Sequence, residues 1–296
     1  MADVAISSIQ DLVSFANGDY GRGTSSAYLD VVLTADIDFN DLNEYDSPYN
    51  WAGCTGTWYI NLDGQGHKID NIYYAGSADW GFFGTVYGFV KNLYLTNMFV
   101  TSARVVAGVV VNLMDNSVLE NIKVSGHLEN VSTNNDLTCC GLYFYARNAK
   151  VIMCSVSGTL KGGSACGLGR NCENGRTYIF SCMVYADITA IGNSNCAGLP
   201  FASINTTVTN CEYRGDVKCP NGASILVGGW EEYILSCLLI YGAGTSGSWR
   251  SNSSYSNVYY DSTLATEGGF TPPSITGAPT TDLQSAQWLH DHDFAI

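Results

Sequence analysis

The sequence predicts an all-β fold in which short strands stack as a solenoid. Three observations carry that expectation: a six-residue pattern that recurs eight times in 296 residues, a glycine marker that keeps pace with it, and the composition of a turn-rich chain. The pattern is apolar, any, Asn or Ser, apolar, any, apolar. It reads IDNIYY (69–74), VKNLYL (90–95), LENIKV (119–124), VIMCSV (151–156), IFSCMV (179–184), VTNCEY (208–213), ILSCLL (234–239) and YSNVYY (255–260), with starts 21 to 32 residues apart.

Each column of the pattern has a physical reading. The fourth position holds Ile72, Leu93, Ile122, Cys154, Cys182, Cys211, Cys237 and Val258, and the sixth runs from Tyr74 through Leu95 and Val124 to Tyr260. Apolar residues two apart put one face of a short strand in the interior. The third position is Asn or Ser in nearly every copy, with Met153 the exception. A short polar side chain there tolerates a left-handed backbone or bonds a nearby amide. The predicted unit is therefore a corner followed by a strand.

The glycine marker stands upstream of the internal copies, as WGFFG (80–84), AGVVV (107–111), CGLYF (140–144), CGLGR (166–170), CAGLP (196–200) and VGGWE (227–231). Each coil then carries at least two strands. A unit this short cannot bury its own face and must stack on its neighbours. Eight rungs at about 4.8 Å spacing would span roughly 34 Å.

Composition agrees. Apolar residues make up 46% and charged ones only 14%, with 32 Gly and 19 Tyr, a balance that favours strands and turns. A net charge of −14 with 13 Lys plus Arg argues against nucleic acid and against anionic membrane surfaces. The opening MADVAISSIQ lacks the basic and apolar regions of a secretory signal, so the chain as written reads as soluble and not exported by the general secretory route. Its most apolar stretch, VVAGVVVNLM (105–114), is too short to span a bilayer.

Eleven cysteines without a C-x-x-C pair, and only four histidines, argue against zinc. Cys154, Cys182, Cys211 and Cys237 share one interior column, and Cys140, Cys166 and Cys196 read as preceding the repeat glycine. Buried reduced thiols are the expectation.

A solenoid needs covers at both ends. SSIQDLVSFANG (7–18) reads as a helix with Ser7 or Ser8 as N-cap, Ile9, Leu12, Val13 and Ala16 as its apolar stripe and Gly18 as its stop. DVVLTADIDFN (30–40) alternates as a strand. TTDLQSAQWLHDHDFAI (280–296) places Leu283, Ala286 and Leu289 to dock on the final coil, after the connector GGFTPPSITGAP (268–279). The expected organisation is one structural domain, with a cap over 1–29, a β-helix over 30–265, and a connector and second cap over 266–296.

LDGQGHKIDNIYY (62–74) brings together two glycines, a histidine and two aspartates. The chain has no Gly-Lys-Ser/Thr phosphate loop, and His67 and His127 have no nucleophile motif beside them. Asp63 to Gly66 therefore reads as a tight turn entering the first full coil, with Ile69 opening the ladder. Sugar cleavage on a β-helix would need paired acids, and the candidates are Asp63 with Asp70, or Glu231 with Glu232. Adjacent strand residues face opposite ways, and the column of Asp70 gathers no acidic cluster. No catalytic residue, metal or cofactor is expected, and HDHD (290–293) reads as a solvated terminus. The candidate glycan contacts are Trp80, Trp230 and Trp249, the last within the loop-like GTSGSWRSNSSYSN (244–257), while Tyr74, Tyr213 and Tyr260 fall at inward positions.

The motifs in combination resemble a known family. ISSIQDLVSFAN (6–17), LTADIDF (33–39), DGQGHKI (63–69), GFFG (81–84) followed by VKNLYLTN (90–97), and the closing LQSAQWL (283–289) are similar to the bacterial and phage GLUG-type repeat proteins over nearly the whole chain. The units GLGR and GGWE lack the aromatic after Gly. The resemblance implies a right-handed parallel β-helix, and a place in surface adhesins, in the non-catalytic parts of secreted proteases, or in phage particles. The expected function is a non-enzymatic structural or host-recognition protein of a phage particle (a fibre, spike or surface decoration) located on the virion or at the cell surface. Its expected partners are cell-surface glycan, other virion proteins, and two further copies of the chain in a homotrimer. The rival readings are a bacterial surface adhesin domain and a polysaccharide lyase or hydrolase.

Overall fold

The structure, a computed structural model, describes residues 3–40, 49–134, 137–170, 176–191, 196–200, 206–219, 224–235, 237–241, 248–256, 258–261 and 276–279, with the backbone alone for 224–235, 238–241, 248–256 and 261. Among the described residues one helix, Ile9–Asn17, stands among strands that pair in parallel in a 15-stranded and a 12-stranded sheet. The chain passes from one sheet to the other and back, coil upon coil. This is the expected right-handed parallel β-helix.

Register shows why the pattern recurs. The first position stacks Val90 on Leu119, Val151, Ile179, Val208, Ile234 and Tyr255 through the longer sheet. The sixth stacks Leu95 on Val124, Val156, Val184, Tyr213, Leu239 and Tyr260 through the other. Seven of the eight copies therefore sit residue over residue.

The first copy does not. Leu62 pairs with Val90, and Ile69 pairs with Leu95, so Ile69 occupies the sixth position and not the first. Seven residues separate Leu62 from Ile69 where five separate Val90 from Leu95, because the Gly64–Gly66 turn lengthens this corner. The same register splits DVVLTADIDFN into Leu29–Leu33 in one sheet and Ile37–Asp38 in the other, with Val31 over Leu62 and Ile37 over Ile69. Val4–Ile6 already belongs to the ladder, within the segment read as a cap.

The corners confirm the third column. Asn92, Asn121, Met153, Ser181 and Asn210 all have φ between 50° and 55°. Where the residue is Asn its carboxamide also bonds across coils: Asn121 donates to Asn92, and Asn92 to Asp63, each at 2.9 Å. Asn210 donates to Ser181 at 3.1 Å. Met153 interrupts the ladder.

Cys154, Cys182, Cys211 and Cys237 line the interior just past this corner, each no more than 1% exposed. Their thiols donate to the first-position carbonyls one coil back, Leu119, Val151, Ile179 and Val208, at 3.6–4.0 Å. All ten described cysteines are free and buried. Cys140 stacks on Cys166, but Cys196 pairs with Ala165 in the neighbouring column, one residue further from the repeat glycine than expected. The glycines form a column because a side chain would strike the next coil: a Cβ on Gly141 would lie 2.0 Å from the Gly167 carbonyl oxygen, and one on Gly167 would lie 1.9 Å from that of Gly198.

The helix starts at Ser8, whose hydroxyl accepts the Asp11 amide at 3.2 Å, and stops at Gly18 with φ 85°. Leu12 and Phe15, three apart on one face, are its buried residues, with Ile9, Val13 and Ala16 partly buried beside them. Phe15, absent from the predicted stripe, reaches Trp58 (centroids 4.7 Å apart) and Phe83 (6.4 Å). The predicted C-terminal capping tail (280–296), HDHD included, lies outside the described residues. Thr276–Ala278, within the predicted connector, adds a strand beside Tyr259–Asp261. No helix among the described residues is long and apolar enough to cross a membrane.

Candidate functional site

Trp80 belongs to the core, against the expectation of a surface contact. It is 1% exposed, its indole N–H donates to the Trp51 carbonyl at 3.0 Å, and its ring stacks on Tyr74 at 5.9 Å. A buried tryptophan satisfies its single donor in this way and presents nothing to a ligand. Trp249 lies in a strand, Ser248–Ser256, opposite Ile225, and not in a loose loop. Trp230 lies in the strand Ser224–Leu235, as do Glu231 and Glu232.

Asp63 and Asp70 do not form an acid pair. Asp63 accepts the Gln65 amide and the Asn92 carboxamide, both at 2.9 Å, and faces Lys91 at 3.3 Å. The turn it caps closes with His67 N–H on the Gly64 carbonyl. Gln65 (φ 53°) and Gly66 (φ 82°) supply its left-handed angles, while a Cβ on Gly64 would lie 2.3 Å from the Asn92 carbonyl oxygen. Asp70 sits on the other sheet and accepts from Lys68, Thr96 and Asn97, each at 2.8 Å. Burial pushes both carboxyls up, but these donors and the lysines outweigh it and hold both below the usual aspartate range. A general acid for sugar cleavage needs the opposite shift. In the shallow depression of about 320 Å³ beside Asp63 the other acid is likewise engaged, since Asn61 donates to Asp30 there.

Aromatic ladders occur on the outer faces, but their ring faces cover one another. Tyr73, Phe99 and His127 stack in sequence with centroids 5.9 and 5.2 Å apart, and Tyr59 stacks on Tyr87 at 4.7 Å. These rings stabilise adjacent coils.

One outer region differs. Met153, Tyr178, Phe180, Met183 and Tyr185 are each 41–49% exposed, and no ring among the described residues packs on the three aromatics. They are contiguous: Phe180 pairs with Ile152 next to Met153, the Ser181–Cys182 corner joins Phe180 to Met183, and the Tyr185 hydroxyl lies 3.5 Å from the Met183 sulfur. Partial burial and the Glu212 carboxylate raise the Tyr185 phenol, which keeps it a neutral donor. At its edge the patch opens into a cleft of about 120 Å³ lined by Asn116, Val118, Asn148, Ala149, Lys150, Arg176 and Tyr178.

Backbone geometry builds this cleft. Asn116 and Asn148 take left-handed angles (φ 61° and 50°) at one corner, and the Asn116 amide donates to the Asn148 carbonyl at 2.7 Å. The strands that follow put Val151 and Ile179 inside and leave Lys150 beside Tyr178 on the outer face. The cleft combines an aromatic wall, two carboxamides and two cations. That set can bind a polar ligand that has one apolar face. Sequence reading missed it because these residues stand one position outside the repeated apolar columns. No column signal marks it either, since the outward column that holds Lys150 and Tyr178 reads Asn61, Phe89, Val118 and Thr207 in other coils.

No family model matches the sequence, and no curated relative matches it. Among solved structures, the chain is similar to a crystal structure of a protein described as a putative immunoglobulin A1 protease from Bacteroides ovatus, with a TM-score of 0.58 and 17% identity over 84% of this chain and 77% of that one. At that identity the likeness is one of fold.

Proposed function

We propose that this chain is a non-enzymatic recognition component of a phage particle, a rigid β-helical rod whose exposed Tyr178–Phe180 face contacts cell-surface glycan. The observation that carries the reading is the contiguous group of uncovered aromatic and methionine side chains on two adjacent coils, beside a cleft lined with amides. The C–H face of a sugar ring is apolar and weakly positive, and it packs on the negative face of an aromatic ring while its hydroxyls bond to carboxamides. Resemblance to repeat proteins of phage particles supports the virion setting. A bacterial surface adhesin is the second reading, supported by the same resemblance, whose repeat proteins include surface adhesins.

Biolayer interferometry of the purified chain against immobilised bacterial surface polysaccharides tests the proposal, with Tyr178→Ala/Phe180→Ala as comparison. Binding without release of shortened products, weakened about tenfold or more in the double variant, is the expected result. Absence of binding to every polysaccharide, or cleavage of one of them, overturns it.

A further inference from the structure

We infer that Cys140 and Cys166 are an oxidisable pair that closes to a disulfide between neighbouring coils when a disulfide donor such as oxidised glutathione is present. The two residues are register partners in the adjacent parallel strands Thr138–Cys140 and Ser164–Cys166. The Cys166 thiol donates to the Cys140 sulfur at 3.3 Å, closer than to the Cys139 carbonyl at 3.9 Å, and both side chains are fully buried. Register partners lie about 4.8 Å apart, within the span of about 4.4–6.8 Å that a disulfide bridges between Cα atoms. The sulfurs have about 1.3 Å to close before they reach an S–S bond of about 2.0 Å.

The column sets this pair apart. From coil to coil it reads Gly81, Ala107, Cys140, Cys166 and Ala197. Alanine fills the position on either side of the pair, so packing alone does not call for sulfur there. Cys139 faces the opposite way, into the main core, while Cys140, Cys166 and Ala197 form a cluster of their own against the partly buried Phe144. Cys154, Cys182, Cys211 and Cys237 also stack, but each of those thiols is turned to a backbone carbonyl one coil back. The coil of Cys140 leads on to Met153 and that of Cys166 to Phe180. A cross-link would therefore fasten together the two coils that share the exposed patch, whatever that patch contacts.

Closure is a two-step exchange. A thiolate of the pair attacks the glutathione disulfide and one glutathione leaves. The second cysteine then displaces the other glutathione from the mixed disulfide. One S–S bond breaks and one forms, and the two thiol protons and the electron pair end on two reduced glutathione molecules. Because both thiols are buried, the exchange requires transient opening of the coils.

The test incubates the full chain with oxidised glutathione, in urea just below its unfolding midpoint, beside a sample kept in dithiothreitol. Thiols are then counted in denaturant and the intact mass is measured. The oxidised chain is expected to lose two of its eleven thiols and to carry no glutathione adduct. After removal of urea it should melt about 5 °C above the reduced chain, as a bridge between residues 26 apart predicts. Cys140→Ala and Cys166→Ala copy the alanines of the flanking coils, so each should melt like the reduced wild type and form no cross-link. No loss of thiols, a glutathione adduct in place of the cross-link, or a cross-link that survives in either alanine variant overturns the inference.

Discussion

Met153→Asn should stabilise the protein. Met153 holds φ 52° at the corner where other coils place Asn or Ser. A left-handed angle costs an ordinary L-residue about 1–2 kcal/mol, and Asn visits it more readily because its short side chain bonds locally. Recovering about half of that, and adding a half-exposed ladder bond worth about 0.5 kcal/mol, gives a gain of roughly 1–1.5 kcal/mol. Little packing is lost, since Met153 is 49% exposed, and its amide keeps its bond to the Phe180 carbonyl. For a chain of 296 residues the gain corresponds to about 2 °C in Tm. Asn121→Met, the mirror substitution, should lower Tm by a similar amount, because it imposes the same strain and removes the bond to Asn92. Thermal unfolding followed by circular dichroism measures both. A Met153→Asn variant that melts at or below wild type, with Asn121→Met tolerated, would refute the argument that backbone angle selects the residue at this corner.

Other perturbations probe other columns. Gly141→Ala drives a Cβ to within 2.0 Å of the Gly167 carbonyl oxygen, and forcing the coils apart should cost about 2–3 kcal/mol in a urea titration. Gly21→Ala, with open space around it, should cost only its left-handed angle, about 1–2 kcal/mol. Asp70→Asn should cost about 1–3 kcal/mol at neutral pH by weakening its bonds to Lys68, Thr96 and Asn97. Because the folded carboxyl titrates below its unfolded value of about 3.9, that contribution is present above about pH 4 and is lost as pH falls through the folded value. Midpoints that differ equally at pH 7 and pH 3 would contradict it. Burial raises the thiols of Cys54, Cys139, Cys154 and Cys211, so a thiol reagent should label none of the ten described cysteines until denaturant is added.

The solenoid was legible because its interior is written twice, once in the apolar alternation of each strand and once in the repetition between coils. Val90 to Tyr255 and Leu95 to Tyr260 follow from that double signal. The first coil was misread because IDNIYY fits the pattern by composition, and only hydrogen-bonded register reveals that the longer turn at Gly64–Gly66 moves Ile69 to the sixth position. Trp80 was misplaced for a different reason. Its partner is the carbonyl of Trp51, 29 residues away in sequence, and no local pattern announces that contact. The cleft was hidden for the converse reason: outside the aromatic ladders, outward side chains need not match from coil to coil, so nothing repeats to mark this group.

That freedom is what gives the outward residues weight as evidence. An interior residue must match those above and below it, and its identity reports on packing. An outward residue is bound to its neighbours only where a ladder forms, as at Tyr73, Phe99 and His127, and most outward positions on these sheets carry Thr, Ser or charged groups. Five of the nine large hydrophobic residues exposed among the described positions are Met153, Tyr178, Phe180, Met183 and Tyr185, gathered around one corner of two coils. The next coil continues their columns with Thr207, Thr209 and Glu212, so the apolar character is not a ladder required for stacking. Met153 sharpens the point, because the left-handed corner favours Asn there and the chain holds a methionine beside the patch instead. A residue that costs stability at its own position and adds to an exposed apolar surface fits the contact face proposed for this corner.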